Sequence, residues 1–208
     1  MTVPPPRHGP QEPPPALVPA DPRALDDLAV LVSRAARADA DGAARLVATD
    51  RVLAVWVSPL HGAGLPTVLG LRAVPLRDPA HVDVTVELAA LADRLARRSG
   101  PGGERVTELA VPPVGVGHLA ASSWAGVLPP RTGWTPTPPQ EVAQLRQVAQ
   151  GDPRDLAAAL ARAAEALGFL PAPDAPDATA PVAAATAGPW RRLSSARGHV
   201  LGRRPLLA

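Results

Sequence analysis

The stretch "ARLVATDRVLAVWVSPLHGAGLPTVLGLRAVPL", residues 44–76, decides the fold. Residues 52–57 are apolar at every position, as a strand covered on both faces requires, and residues 67–76 can return beside them across a loop at 61–64. "HVDVTVEL", 81–88, then alternates: Val82, Val84 and Val86 point one way, and His81, Asp83, Thr85 and Glu87 the other. That period of two predicts a half-buried strand with one wet side.

Outward from these strands the pattern becomes helical. Upstream, Asp21 and Pro22 open a predicted helix over about 22–39, with Leu25, Leu28, Leu31, Val32 and Ala35 on its apolar face. Downstream, Leu88, Leu91 and Leu95 predict a short helix that the "SGPGG" breaker at 99–103 ends. Residues 105–111 read as a fourth strand and 112–139 as mostly loop. Two further helices are expected, one over 139–150 and one opened by Asp152 and Pro153 and closed by Gly168. The expected fold is therefore α+β, a small, mainly antiparallel sheet packed with about four helices. Residues 1–20 read as a flexible Pro-rich tail, 21–170 as the α+β domain and 171–189 as a Pro/Ala linker. Residues 190–208 read as a basic C-terminal segment forming a hairpin with "SSARG" as its turn.

Composition excludes several chemistries. The chain has 208 residues, no Lys, Asn, Ile, Tyr or Cys, and a net charge of +2, a bias expected of a GC-rich genome. An isoelectric point near 10.7 follows from having no Lys, Tyr or Cys to titrate below Arg, and is weak support for an acidic partner. Without Cys there are no disulfides, thiolate nucleophiles or Cys-based zinc sites. The five histidines are scattered, with no His-x-x-x-His, so no metal or cofactor is expected. No uncharged apolar run reaches ~18 residues, so no membrane span is expected. The N-terminus lacks the apolar core of a signal peptide, which makes the cytoplasm the expected compartment.

Catalytic patterns are incomplete. "HGAG", 61–64, would serve an oxyanion turn only beside a Gly-x-Ser-x-Gly elbow, which is missing, so it reads as a hairpin connection. "GVGHLA", 115–120, has dinucleotide-fingerprint spacing, but Pro112 and Pro113 cut the strand before it and "VLPPRTGWTPTPP" follows. Paired acids such as Asp26–Asp27 and Asp152–Asp155 fit helix ends and solvated faces. For an enzyme of unrecognised type, His118, Ser122 and Ser123 are the candidate groups.

Binding patterns are stronger. In "SSWAGVLPPRTGW", 122–134, Trp124 and Trp134 flank a stiff Pro-Pro-Arg step. Core packing is one reading of them; an aromatic–cation platform with Arg131 is the other. No acid occurs after Asp177, while Trp190 is followed by Arg191, Arg192, Arg197, Arg203 and Arg204. Such a segment can grip phosphates and stack a base, or form the wet face of an edge hairpin. The leading expectation is a non-catalytic binding or assembly protein that presents residues 124–134 to a protein partner. Nucleic-acid binding through the C-terminal Arg/Trp segment is the alternative.

"SSWAGVLPPRTGW" and "PWRRLSSARGHVLGRR", 189–204, give residues 22–205 a resemblance to uncharacterised proteins of high-GC actinobacteria. The resemblance implies no activity and no site residue.

Overall fold

A computed structural model of the protein describes residues 16–62, 64–97, 106–112, 123–126 and 128–204. Among these, in chain order, are β1 (Ala16–Leu17), α1 (Ala24–Ala38), β2 (Ala43–Thr49), β3 (Val52–Leu60), β4 (Thr67–Pro75), β5 (Val82–Glu87), α2 (Leu88–Ala96) and β6 (Leu109–Ala110). A 3-10 turn at Ser123–Gly126 precedes β7 (Thr135–Gln140), α3 (Val142–Val148), α4 (Leu156–Ala166), β8 (Val182–Ala187), β9 (Trp190–Ser195) and β10 (Gly198–Arg203). The fold is α+β as expected, but the sheet is large: eight antiparallel strands in the order β5-β2-β3-β4-β10-β9-β8-β7. Strands β2 to β5 lie in the 4-1-2-3 order of a Greek key, whereas β7 to β10 run as a meander with α3 and α4 between its first two strands. Within the sheet, only the β4–β10 ladder joins these two halves among the described residues.

The helices share one face of the sheet because alternate strand residues put their apolar side chains there. Ala44, Leu46, Val55, Val57, Val68, Val82, Val86, Leu193 and Val200 are buried in one cluster with Leu28, Val32, Leu91, Leu156 and Leu160. The alternation in 81–88 holds, with Val82 and Val86 buried. Helix α4 begins at Leu156 rather than at Pro153. Asp152 spends its carboxylate on a local turn to the Arg154 N–H (2.8 Å), leaving Asp155 to cap by accepting from the N–H groups of Ala157 and Ala158 at 2.8 and 3.0 Å. At its other end Gly168, at φ +74°, turns the chain so that the Phe169 N–H reaches the Ala164 carbonyl (2.8 Å) and the Gly168 N–H that of Glu165 (3.0 Å).

Helix α4 lies over the β4–β10 ladder, where the sheet is cut back to glycine. Gly70 on β4 and Gly202 on β10 face it. A Cβ on Gly70 would run into the Leu167 side chain, and one on Gly202 would meet Leu156 and Leu160 at 3.0 and 3.1 Å. The missing side chains thus let the Ala-rich α4 approach closely enough to bury Leu156, Leu160 and Leu167.

Three segments differ from their sequence reading. Residues 16–20, expected in the tail, are tied down: β1 pairs with β6 in a separate two-stranded sheet, Pro19 bridges to Leu76, and Leu17 is buried. The strand expected at 105–111 is correspondingly confined to β6. Residues 171–189, expected as a linker, fold as successive turns followed by β8, because β9 and β7 flank β8 and satisfy its backbone. Residues 135–140, expected as the end of a loop and the start of a helix over 139–150, form the edge strand β7, and the helix is Val142–Val148; Pro136, Pro138 and Pro139 lack the N–H that another strand would need. The C-terminal hairpin forms as expected, with β9 and β10 joined across Ala196 and Arg197.

Gly70→Ala should lower unfolding stability by about 1–3 kcal/mol through overpacking against Leu167. In a Leu167→Ala background the same change should cost at least about 1 kcal/mol less, measured by denaturant titration of a double-mutant cycle. Additive costs would contradict the close approach.

Candidate binding face of the sheet

The face turned away from the helices carries all four tryptophans. Trp56 on β3 is directly opposite Arg45 on β2 and Leu71 on β4, and Trp190 on β9 is opposite Arg203 on β10 and Ala187 on β8. With Ala43, Leu69 and Leu201 these rings form a second apolar cluster, covered by Trp124 and Ala125 of the 3-10 turn and flanked by Trp134. Arg45 fastens that turn: its guanidinium donates to the Ala125 carbonyl and pairs twice with Asp83 at 2.9 Å. Those hydrogen bonds and the charge of Arg45 hold the Asp83 carboxyl below its ordinary range.

The two tryptophans of 122–134 have different fates. Trp124 is 3% exposed, and burying a ring of ~150–250 Å² is worth about 4–6 kcal/mol at ~25 cal/mol per Å². It is a packing residue. Trp134 is half-buried, donates its Nε1–H to the Pro130 carbonyl at 2.9 Å, and has a guanidinium 4.6 Å from its ring centroid. That guanidinium belongs to Arg192, not to Arg131. Arg192 reaches Trp134 because Ala185, opposite it on β8, leaves room above the sheet, and its Nε is buried with no hydrogen-bond partner among the described residues. Such a stack contributes about 0.5–1 kcal/mol, too little to anchor the segment but enough to orient both groups.

Arg131 instead lines a groove of about 270 Å³ with Val47, Val52, Ala54, Trp56, Leu128 and Pro129. Val52 is 49% and Leu128 39% exposed, so the groove opens to solvent on apolar walls. Trp56 and Leu128 were not among the residues expected to bind. The apolar run 52–57 marked a strand covered on both faces, yet only the register shows that Trp56 lies on the face that the helices leave open.

The C-terminal arginines do not gather. Strand alternation sends the exposed Arg191 to the helical face and Arg192 to the tryptophan face, Arg203 lies 5.7 Å over the buried Trp190, and Arg197 pairs with Asp177 at 2.9 Å. Of the catalytic candidates, His118, Ser122 and the Ser123 side chain lie outside the described residues. A different pair does meet: His199 Nδ1 and Ser194 Oγ are opposite each other on β10 and β9 at 2.9 Å. No carboxylate among the described residues contacts His199, so nothing there orients the ring as a base. Nor, among the described residues, does any group of three or more His, Asp or Glu come together in a way that could hold a metal ion.

Burial, then the charges of Arg192 and Arg72, hold His199 below its ordinary value of 6.5. The unfolded chain therefore binds more protons than the folded one between the two values. Stability is full above the unfolded value and is lost as pH falls through it toward the folded value. Chemical-denaturation midpoints should fall between about pH 7.5 and 5.5, and fall less in His199→Gln. Equal slopes in the two proteins would contradict the burial argument.

The model of a second Domain of unknown function (DUF8185) matches residues 150–207, which hold α4 and β8–β10. No curated protein matches the chain. Residues 12–117, more than half of the chain and the part that holds α1 to β6, match the model of the Domain of unknown function (DUF8010), and the chain belongs to that family.

Proposed function

We propose that this chain is a non-catalytic cytoplasmic binding protein that takes an acidic segment of a partner protein, with apolar side chains, along the Trp56–Leu128 groove. The observation that carries the reading is the exposure of Val52 and Leu128 on the walls of one groove, beside the half-buried Trp56. Large apolar side chains left open together in a concave site favour a macromolecular contact over bare solvent.

Charge sets the chemistry of the partner. Among the described residues four arginines stand on this face and only Arg45 has a carboxylate; Arg192 and Arg203 lie over rings, and Arg131 makes no ion pair with a described residue. Arg131 on the groove wall, with Arg192 and Arg203 farther along the same face, matches a segment in which acidic residues alternate with apolar ones. An extended nucleic acid would need a basic stripe on one side, whereas Arg191 and Arg192 face opposite ways. No helix among the described residues is long and apolar enough to cross a membrane, and a protein partner needs none.

A photo-crosslinking residue at Leu128 of the full chain, used in a lysate of the source organism, should capture a protein through a segment that mass spectrometry shows to be acidic and apolar. Arg131→Glu and Val52→Asp should each reduce that capture about tenfold or more while leaving the melting temperature within a few degrees. Capture of nucleic acid, or capture indifferent to both substitutions, would overturn the reading.

A further inference from the structure

On the opposite, helical side, a pocket of about 150 Å³ opens between α1, the end of α4 and the β9–β10 turn. Three arginines from three elements line it: Arg34 on α1, Arg72 on β4 and Arg197 in the turn. Two of them are committed. Arg72 pairs with Asp27 and donates to the Arg197 carbonyl, and Arg197 holds Asp177 at 2.9 and 3.2 Å. Arg34 is half-buried and makes no hydrogen bond or ion pair with any described residue. Its guanidinium lies against Gly168, so close that any Cβ there would collide with it.

The bland role for Arg34 would be to cap the C-terminus of α4. Arg34 donates to none of the described carbonyls there, and those of Ala164 and Glu165 accept from the N–H groups of Phe169 and Gly168 instead. Among the described residues nothing takes the five donors of Arg34. Counting the groups around the pocket, three guanidiniums (+3) and the carboxylates of Asp27 and Asp177 (−2) leave one excess positive charge. The remaining walls, Leu31, Val30, Leu167 and Phe169, are apolar.

We propose that this pocket binds a small organic monocarboxylate, with its carboxylate on Arg34 and its apolar body against Leu31, Leu167 and Phe169. One negative charge neutralises the site, whereas a phosphate dianion would leave it net negative. The pocket draws on both family-matched segments, Arg34 and Arg72 from residues 12–117 and Arg197 with Phe169 from residues 150–207. Occupancy would therefore clamp the two together.

The test uses the full chain with benzoate as probe, and benzamide and inorganic phosphate as the other arms, followed by NMR shifts or calorimetry. Benzoate should bind saturably within about 20 mM, at least about tenfold more tightly than benzamide or phosphate. Arg34→Met, which keeps the apolar stem, should lose about tenfold in affinity or more with its fold intact by circular dichroism. Val30→Trp, a substitution at an exposed position on the rim, should block binding if Arg34→Met fails to fold. The proposal is overturned by absence of benzoate binding, by benzamide or phosphate binding as well as benzoate, or by benzoate binding that survives the folded variants.

Discussion

Close contact between α4 and the glycine-lined β4–β10 ladder is the constraint on which the rest of the structure depends. Two four-stranded halves, each matched by its own family model over most of its length, meet there. Gly70 and Gly202 remove the side chains that would hold a helix away, and Leu156, Leu160 and Leu167 fill the space. Each such leucine contributes about 1.5–3 kcal/mol on burial, and together they outweigh the conformational cost of two strand glycines, about 1 kcal/mol apiece. The cap at Asp155 and the turn at Gly168 then fix where α4 begins and ends, and the Gly168 turn brings Phe169 to the second pocket, which Arg34 of α1 also lines.

With the helices gathered on one side, the other side of the sheet is left to be covered by whatever else the chain supplies. Residues 124–125 and 134 cover part of it, with Trp124 buried and Trp134 at the rim under Arg192. Beyond that cover, the open ends of β2 and β3 keep Val52 and Trp56 within reach of solvent. Charge on this face is arranged rather than spread: one arginine is used to pin the cover, two are laid over rings and one stands at the groove mouth. His199 adds no charge near neutrality because its surroundings disfavour the proton.

How much of this was legible in the sequence depends on whether a pattern is local. Residues 81–88 alternate cleanly because one side of β5 is wet, and the strand was readable residue by residue. Helix α1 and the β9–β10 hairpin were legible for the same reason, from spacing and from a turn signal. Strand β8, "VAAATA", has little strand propensity of its own and becomes a strand because β7 and β9 hold it, which composition reads as a linker. β7 contains three prolines and is tolerated only because it is an edge. The site failed in the same way: Arg131 is three residues from Trp134, yet the guanidinium over that ring comes from Arg192, brought there by the sheet.

That α4 seals both halves into one cooperative sheet is tested most directly by native-state hydrogen exchange across the whole chain. Amides of Leu46, Val55, Leu69, Val200 and Leu193, drawn from both halves, should exchange only through global unfolding and share one free energy and one dependence on denaturant. Opening of β8, β9 and β10 at a free energy well below that of β2 and β3 would show two independently stable halves and contradict it.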